Sequence, residues 1–399
     1  MYRNPLLRRT TVAGIAVLSA SALLAACGGS TPGSDGARDT VTVWTGLPYD
    51  TFQEPNVRAF AACEEETGIT AELADFPAGE LTAQALRAAT SGDLPGLLYL
   101  EGTDLSRIVE TGLLTPLSDY GITGGDYSQT VQDMGSIDDE LYGIAPGVNT
   151  VAVLYNKDLF AANGVEIPTT YAEFRAVAQS VSDEETTGFS LAADTGTGPY
   201  VFLPYLLGAG GDPADLDTPE AATALQLWVD LVADGSAPKS AITMGWDAQD
   251  AFREGKAAMV MAGSWMFAED LPFEVGAFAV PTPDGTGDPV SPIGAELWTI
   301  PATGEETQQN AAALLKCLTN DENSLEMAQA SHRTPSKTTI TQAYLDQFPD
   351  EQTLIDLIDH AYLRDPETTG AESEVLATAI QDSLANGTAP ADALAAASE

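Results

Sequence analysis

The sequence predicts an α/β protein built in two successive segments. Strand-type and helix-type patterns alternate from residue 40 onward, the order that right-handed crossovers turn into a parallel sheet. The 399 residues are enough for two or three domains, or two lobes of one unit. Hydrophobic residues make up 44% of the chain, which is ample for full-sized cores.

The elements follow in order. "TVTVWTG" (40–46) alternates β-branched and polar residues and reads as a first strand. Residues 52–67 form a helix stopped at Gly68. "ITAELADF" is a second strand, and residues 80–91 a helix closed by Gly92. "GLLYLEG" (96–102) is a short apolar strand of the buried parallel kind, followed by a helix over 105–111 that stops at Gly112. "ELYGIAPGVNTVAVLYNKDLFAANGV" gives two strands and a helix, and "TYAEFRAVAQSV" an amphipathic helix after a Thr cap. Residues 220–233 are helical. "KAAMVMAGSW" and "FEVGAFAVP" are strands, and "GAELWTIP" is a strand feeding a helix over 305–318. Only helical patterns appear after Thr338. The Pro- and Gly-rich stretch 281–294 marks a crossing between segments.

With 16 Lys+Arg against 59 Asp+Glu, the net charge is −43. Such a surface repels phosphate backbones and anionic lipid heads, so nucleic acid is excluded as a partner. Two His and three Cys leave no zinc motif, and no P-loop, G-x-G-x-x-G or EF-hand spacing occurs, so no cofactor is expected.

Residues 1–26 read as an export signal: Arg3, Arg8 and Arg9 precede a short apolar run that is less than the ~20 residues a membrane span needs. Leu24-Ala25-Ala26-Cys27 resembles a bacterial lipobox, which implies lipidation of Cys27 and anchoring to the outer face of the cytoplasmic membrane. Residues 27–39 are Gly/Ser/Pro-rich and read as a flexible tether. The two remaining cysteines, Cys63 and Cys317, lie on expected helices in two segments assigned to the same lobe. Export places them in an oxidising compartment, which favours a disulfide over two buried thiols.

The blocks "ELYGIAPGVNTVAVLYNKDLFAANGV" and "AFREGKAAMVMAGSW", with "EEETGI", "ETGLLTPLSDY" and "ASHRTPSK" around them, resemble the extracellular solute-binding proteins of carbohydrate ABC transporters, the maltose-binding-protein-like group. The likeness spans residues 40–399. It implies a two-lobe periplasmic-binding-protein-like fold (type II), each lobe a mostly parallel sheet flanked by helices. Lobe 1 would comprise 40–145 plus 288–335, and lobe 2 would comprise 146–287 plus 336–399. It also implies a monomer that closes around a sugar or oligosaccharide and docks onto permease subunits, without catalysis. Tyr171 stands where the family commonly has Trp, and Glu296 sits in a loop that is usually Gly-rich.

Sugars present apolar C–H faces and rings of hydroxyls, so a site needs aromatic planes and fixed polar groups. Trp265 ends an apolar strand, where such sheets present ligands, and matches the "GSW" stacking residue of the family. Trp246 precedes a helix at the cleft rim. Trp44, near the end of the first strand, reads as cleft or core, and Trp298, inside a strand, as core. Glu101 follows "GLLYL" at a strand end and reads as site or surface charge. Asn149 and Thr150 lie in the crossing near the hinge, and Gly294 and Glu296 in a cleft-facing loop. Arg333 either clamps a hydroxyl or holds a lobe together. Tyr155, in "YNKD", reads as structural. A polyamine or peptide cargo in the same fold is an alternative. A further one is a hydrolase, for which "GFSLA" (188–192) is an incomplete nucleophile elbow with His332 and His360 downstream.

Overall fold

In the computed structural model, residues 39–46, 50–77, 80–365 and 368–399 are described. The export signal, Cys27 and nearly all of the tether lie outside the described residues. In the strand Thr40–Thr45, Val41 and Val43 point into the core while Thr40 and Thr42 face out. The helices Asp50–Thr67 and Leu81–Ser91 end where Gly68 and Gly92 take φ of +74° and +81°, a left-handed conformation that side chains resist. The helix Tyr171–Ser180 starts with a reciprocal capping box between Thr170 and Glu173.

Two sheets organise the body. The first runs Thr70–Asp75, Thr40–Thr45, Leu97–Glu101, Glu296–Thr299, Gly143–Ile144. Its first three strands are parallel, and Glu296–Thr299 is antiparallel to both neighbours. The second runs Val275–Phe278, Ala152–Asn156, Ala257–Ala262, Thr187–Ser190. Here Ala152–Asn156 is antiparallel to both neighbours, and the last two strands are parallel. Each sheet is therefore mixed: all its strands but one point the same way, and the reversed strand makes the antiparallel pairings. In both cases the reversed strand is the one the chain enters from the other lobe. It starts at the cleft, where its neighbours end.

Each sheet has its own core. Around the first, Trp298 is fully buried, 4.2 Å from the Tyr99 ring and 5.5 Å from Phe60. Around the second, Trp228 packs edge-on to Phe202 and Tyr205. Tyr155 packs on Phe160 and Phe278, in keeping with a structural residue. Cys63 and Cys317 are joined, with S–S 2.05 Å and Cα–Cα 5.7 Å, tying Asp50–Thr67 to Glu305–Leu318.

Short pairings mark the places where the chain passes between the lobes. Gly147–Val148 pairs with Thr334–Pro335, Asn149 with Gly294, and Ser291–Ile293 with Ala361–Leu363. The strand Ala361–Leu363 corrects the expectation of helices alone after Thr338. At three residues it is too short to show alternation. Two further elements carried no readable signal. Gly198–Gly208 is a helix apolar nearly all round and contains Pro204, so it lacks an amphipathic stripe. Thr187–Ser190 is a four-residue strand. The incomplete elbow lies on that strand: buried Ser190 donates its hydroxyl to the Ala248 carbonyl at 2.7 Å, which is a packing role.

Candidate functional site

The strand ends of both sheets open onto one cavity of about 810 Å³. From the first sheet come Glu101, at the end of Leu97–Glu101, and Glu296, at the start of Glu296–Thr299. These two residues face each other in register across the antiparallel pair. From the second come Trp265, just past Ala257–Ala262, and Gln249, Asp250 and Arg253 of the helix Ala248–Arg253. Tyr200, Trp246 and Arg364 complete the wall.

The aromatic side is built by contact and by hydrogen bonds. Trp246 stands edge-on to Trp265, with centroids 5.6 Å apart and planes at 87°, and Tyr200 lies 6.0 Å from Trp246. The Trp265 indole N–H donates to Gln249 Oε1 at 3.2 Å, and Gln249 Nε2 donates to the Met261 carbonyl. Arg253 Nη2 donates to the same Gln249 oxygen and pairs with Glu269 at 2.7 Å and Asp250 at 2.9 Å. Gly263 makes the arrangement possible. A Cβ there would lie 2.2 Å from the Trp265 ring and 2.8 Å from the Thr150 carbonyl.

The opposite side is ionic. Buried Arg333 pairs with Glu296 and donates to the Tyr99 hydroxyl at 3.0 Å. Burial pulls the guanidinium down, but Glu296 and Tyr99 more than offset this and hold it charged. Glu101 opens to the cavity, yet the surrounding protein raises its carboxyl to about 7. Desolvation is the largest cause and neighbouring Glu296 adds to it, against a smaller pull from Arg333. Arg364 lies over the Tyr200 ring, 5.0 Å from its centroid.

Of the residues singled out in the sequence, Trp265, Trp246, Glu101, Asn149, Gly294, Glu296 and Arg333 meet at this cavity. Trp44 and Thr150 do not. Trp44 packs on Phe76 at 4.9 Å against the first core. Thr150 is fully buried and donates its hydroxyl to the Leu354 carbonyl at 2.7 Å, so it fastens the crossing. The sequence reading missed Tyr200, because its helix was unreadable, and Arg364, which follows an unrecognised short strand. Gln249 and Arg253 did carry a signal: their i, i+4 spacing in "DAQDAFREG" places them on one helix face beside Trp246.

Two lobes, short linking segments and one polar-and-aromatic cavity between strand ends define a two-lobe ligand-binding protein. The chain belongs to the bacterial extracellular solute-binding protein family, whose model matches residues 58–353. It is 24% identical over 361 residues to the diacetylchitobiose-binding protein DasA of Streptomyces coelicolor, covering 83% of each chain. It is 24% identical over 332 residues to the galactooligosaccharide-binding protein of Bacillus subtilis, covering 78% of this chain and 77% of that one. Among solved structures, the GacH receptor of Streptomyces glaucescens superposes with a TM-score of 0.78 at 23% identity, over 91% of this chain and 97% of that one. That likeness establishes the fold. Among the described residues, no helix is long and apolar enough to cross a membrane.

Proposed function

We propose that this protein captures a neutral sugar or oligosaccharide between its lobes and delivers it to the membrane permease of an ABC importer, without making or breaking a bond. The observation that carries this reading is a single cavity of about 810 Å³ lined by the aromatic group Trp265, Trp246 and Tyr200 together with Glu101, Glu296 and Arg364. The aromatic planes suit the C–H faces of a pyranose, and the charged groups suit its hydroxyls. The volume falls within the ~300–1,000 Å³ typical of small-molecule sites. The oligosaccharide cargoes named for the two relatives support the same class. Titration calorimetry against a saccharide panel tests it. One sugar should bind, and Trp265→Ala should weaken that binding by roughly 30-fold or more, about 2 kcal/mol, in a chain that still folds. Unchanged affinity removes Trp265 from the site.

The reading includes export and a lipid on Cys27. Acyl chains contribute ~0.8 kcal/mol per buried methylene, so two or three of them hold a body of this size at a membrane. Cys27→Ala is expected to move the protein from the membrane fraction to the soluble one. An unlipidated wild-type mass would contradict the anchor.

A further inference from the structure

The helix Asp321–Ser331 closes on His332, in the left-handed region at φ +47°. The other described helices that close in that region do so on glycine, as at Gly92, Gly164 and Gly235. A side chain is disfavoured there, so its surroundings must hold it. His332 Nδ1 donates to Glu351 Oε1 at 2.8 Å, and the Tyr344 hydroxyl donates to the other oxygen of that carboxylate at 2.6 Å. Glu351 is 1% exposed, so these two bonds are what its buried carboxylate rests on. Burial, with the Glu351 carboxylate beside it, raises the Tyr344 phenol, which keeps it a donor. The Phe348 ring lies 4.3 Å from the imidazole. One of the two histidines that a hydrolase reading would recruit is thus committed to Glu351.

This contact joins the two lobes. Asp321–Ser331 packs on Asp50–Thr67 and Glu305–Leu318, beside the first sheet. The turn Pro349–Glu351 sits against Val275–Phe278 of the second sheet, where Asp350 pairs with Lys157 at 2.7 Å and the Thr353 hydroxyl donates to the Ala277 carbonyl at 3.1 Å. His332 itself stands outside the cavity wall, between Ser331 and Arg333, which line it. The Arg333 guanidinium reaches Tyr99 and Glu296 on the first sheet. Beyond Arg333 the backbone is pinned: Thr334–Pro335 pairs with Gly147–Val148, and the Ser336 hydroxyl donates to the Ala145 carbonyl at 2.6 Å. Arg333 is confined sideways too, since a Cβ on Gly147 would lie 2.8 Å from its Cγ. On the other side, the direction in which the chain leaves the helix depends on His332.

Resting on the reading of the cavity as a sugar site, we propose that His332 is a positioning residue of that site: its bond to Glu351 of the other lobe locks the left-handed turn that aims Arg333 at Glu296. Arg333 neutralises Glu296, the carboxylate in register with Glu101. When the turn loosens, the two carboxylates face each other without a fixed cation, and the polar side of the cavity loses its geometry. Because Glu351 rides on the second sheet, both lobes set the cleft arginine of the first.

Three variants of the full chain test this, read by calorimetry with malto-, galacto- and chitotriose and by NMR of the buried Arg333 Nε–H. His332→Gly adopts the left-handed turn freely but lacks the tie. Glu351→Leu breaks the same bond from the other lobe, so a folding failure in one variant does not decide the question. His332→Asn tolerates the turn and places a donor nitrogen where Nδ1 stands. The first two should weaken binding of the trisaccharide that wild type takes by ~10-fold or more, and His332→Asn should stay within about threefold of wild type. The Arg333 Nε–H should lose its protection from hydrogen exchange in the first two variants and keep it in the third. Unchanged affinity or unchanged Arg333 exchange in His332→Gly or Glu351→Leu, once folded, overturns the positioning role, as does a loss that His332→Asn shares. If no trisaccharide binds the wild type, the sugar reading fails on its own, and the exchange measurement still decides whether the tie holds Arg333.

Discussion

Glu101 shows how position decides chemistry at the level of one residue. Its strand, Leu97–Glu101, is buried up to Leu100, so the chain emerges from the core at the carboxyl group itself. Cross-strand register then places Glu296 opposite, and Arg333 neutralises Glu296 rather than Glu101. The result is a carboxyl raised from the ordinary carboxylate range to about 7. The sign of the pH effect follows. Between about 4.5 and about 7 the folded state holds a proton that the unfolded chain has released, so stability falls as pH rises through that window and levels off above it. Melting curves of wild type and Glu101→Gln from pH 4 to 8 should therefore diverge, with the variant gaining relative stability across pH 4.5–7. Parallel curves would mean that Glu101 titrates as an ordinary surface acid. Trp265 is set by its neighbours in the same way: Gly263 yields the space and Gln249 fixes the indole edge.

At the scale of elements, the helices Asp50–Thr67 and Glu305–Leu318 come from distant parts of the sequence and pack side by side on the first sheet. Their link, Cys63–Cys317, spans 254 residues of sequence, so it restrains the unfolded chain over most of its length. Removing such a bond typically costs ~2–5 kcal/mol. Cys63→Ser with Cys317→Ser should lower the denaturation midpoint accordingly, with saccharide affinity retained because neither residue touches the cavity. Two titratable thiols in the unreduced, unfolded wild type would contradict the bond. The elements also show why some structure was readable and some was not. Thr40–Thr45 and Tyr171–Ser180 declare themselves through alternation and a capping box, both of which are local patterns. Gly198–Gly208 is buried on nearly every side, which erases the periodicity that reveals a helix, and Tyr200 was lost with it. Trp44 and Thr150 lie off the cavity for a different reason. Proximity to a strand end or a crossing is a statement about the backbone. Whether the side chain turns to the cleft depends on Phe76 and Leu354, which come from other elements.

At the scale of the whole molecule, each lobe contains one strand that runs against its neighbours, and both begin at the cleft after a crossing. The crossings are joined to each other by pairings of only one to three residues, while each sheet has a core of its own. A body divided in this way resists deformation within a lobe far more than between lobes, the arrangement in which hinge closure occurs. The cavity walls divide along the same line. Glu101, Glu296 and Arg333 stand on one side, and Trp265, Gln249 and Arg253 on the other, so a ligand touching both gains its full contacts only when they approach. Small-angle scattering with a saturating cognate oligosaccharide should therefore show a smaller radius of gyration than the ligand-free protein. Trp265→Ala, which removes one wall's stacking surface, should shift that compaction to higher ligand concentration. Identical scattering curves with and without a ligand that calorimetry shows to be bound would mean that the lobes form a preset cleft, with affinity arising from fixed contacts alone.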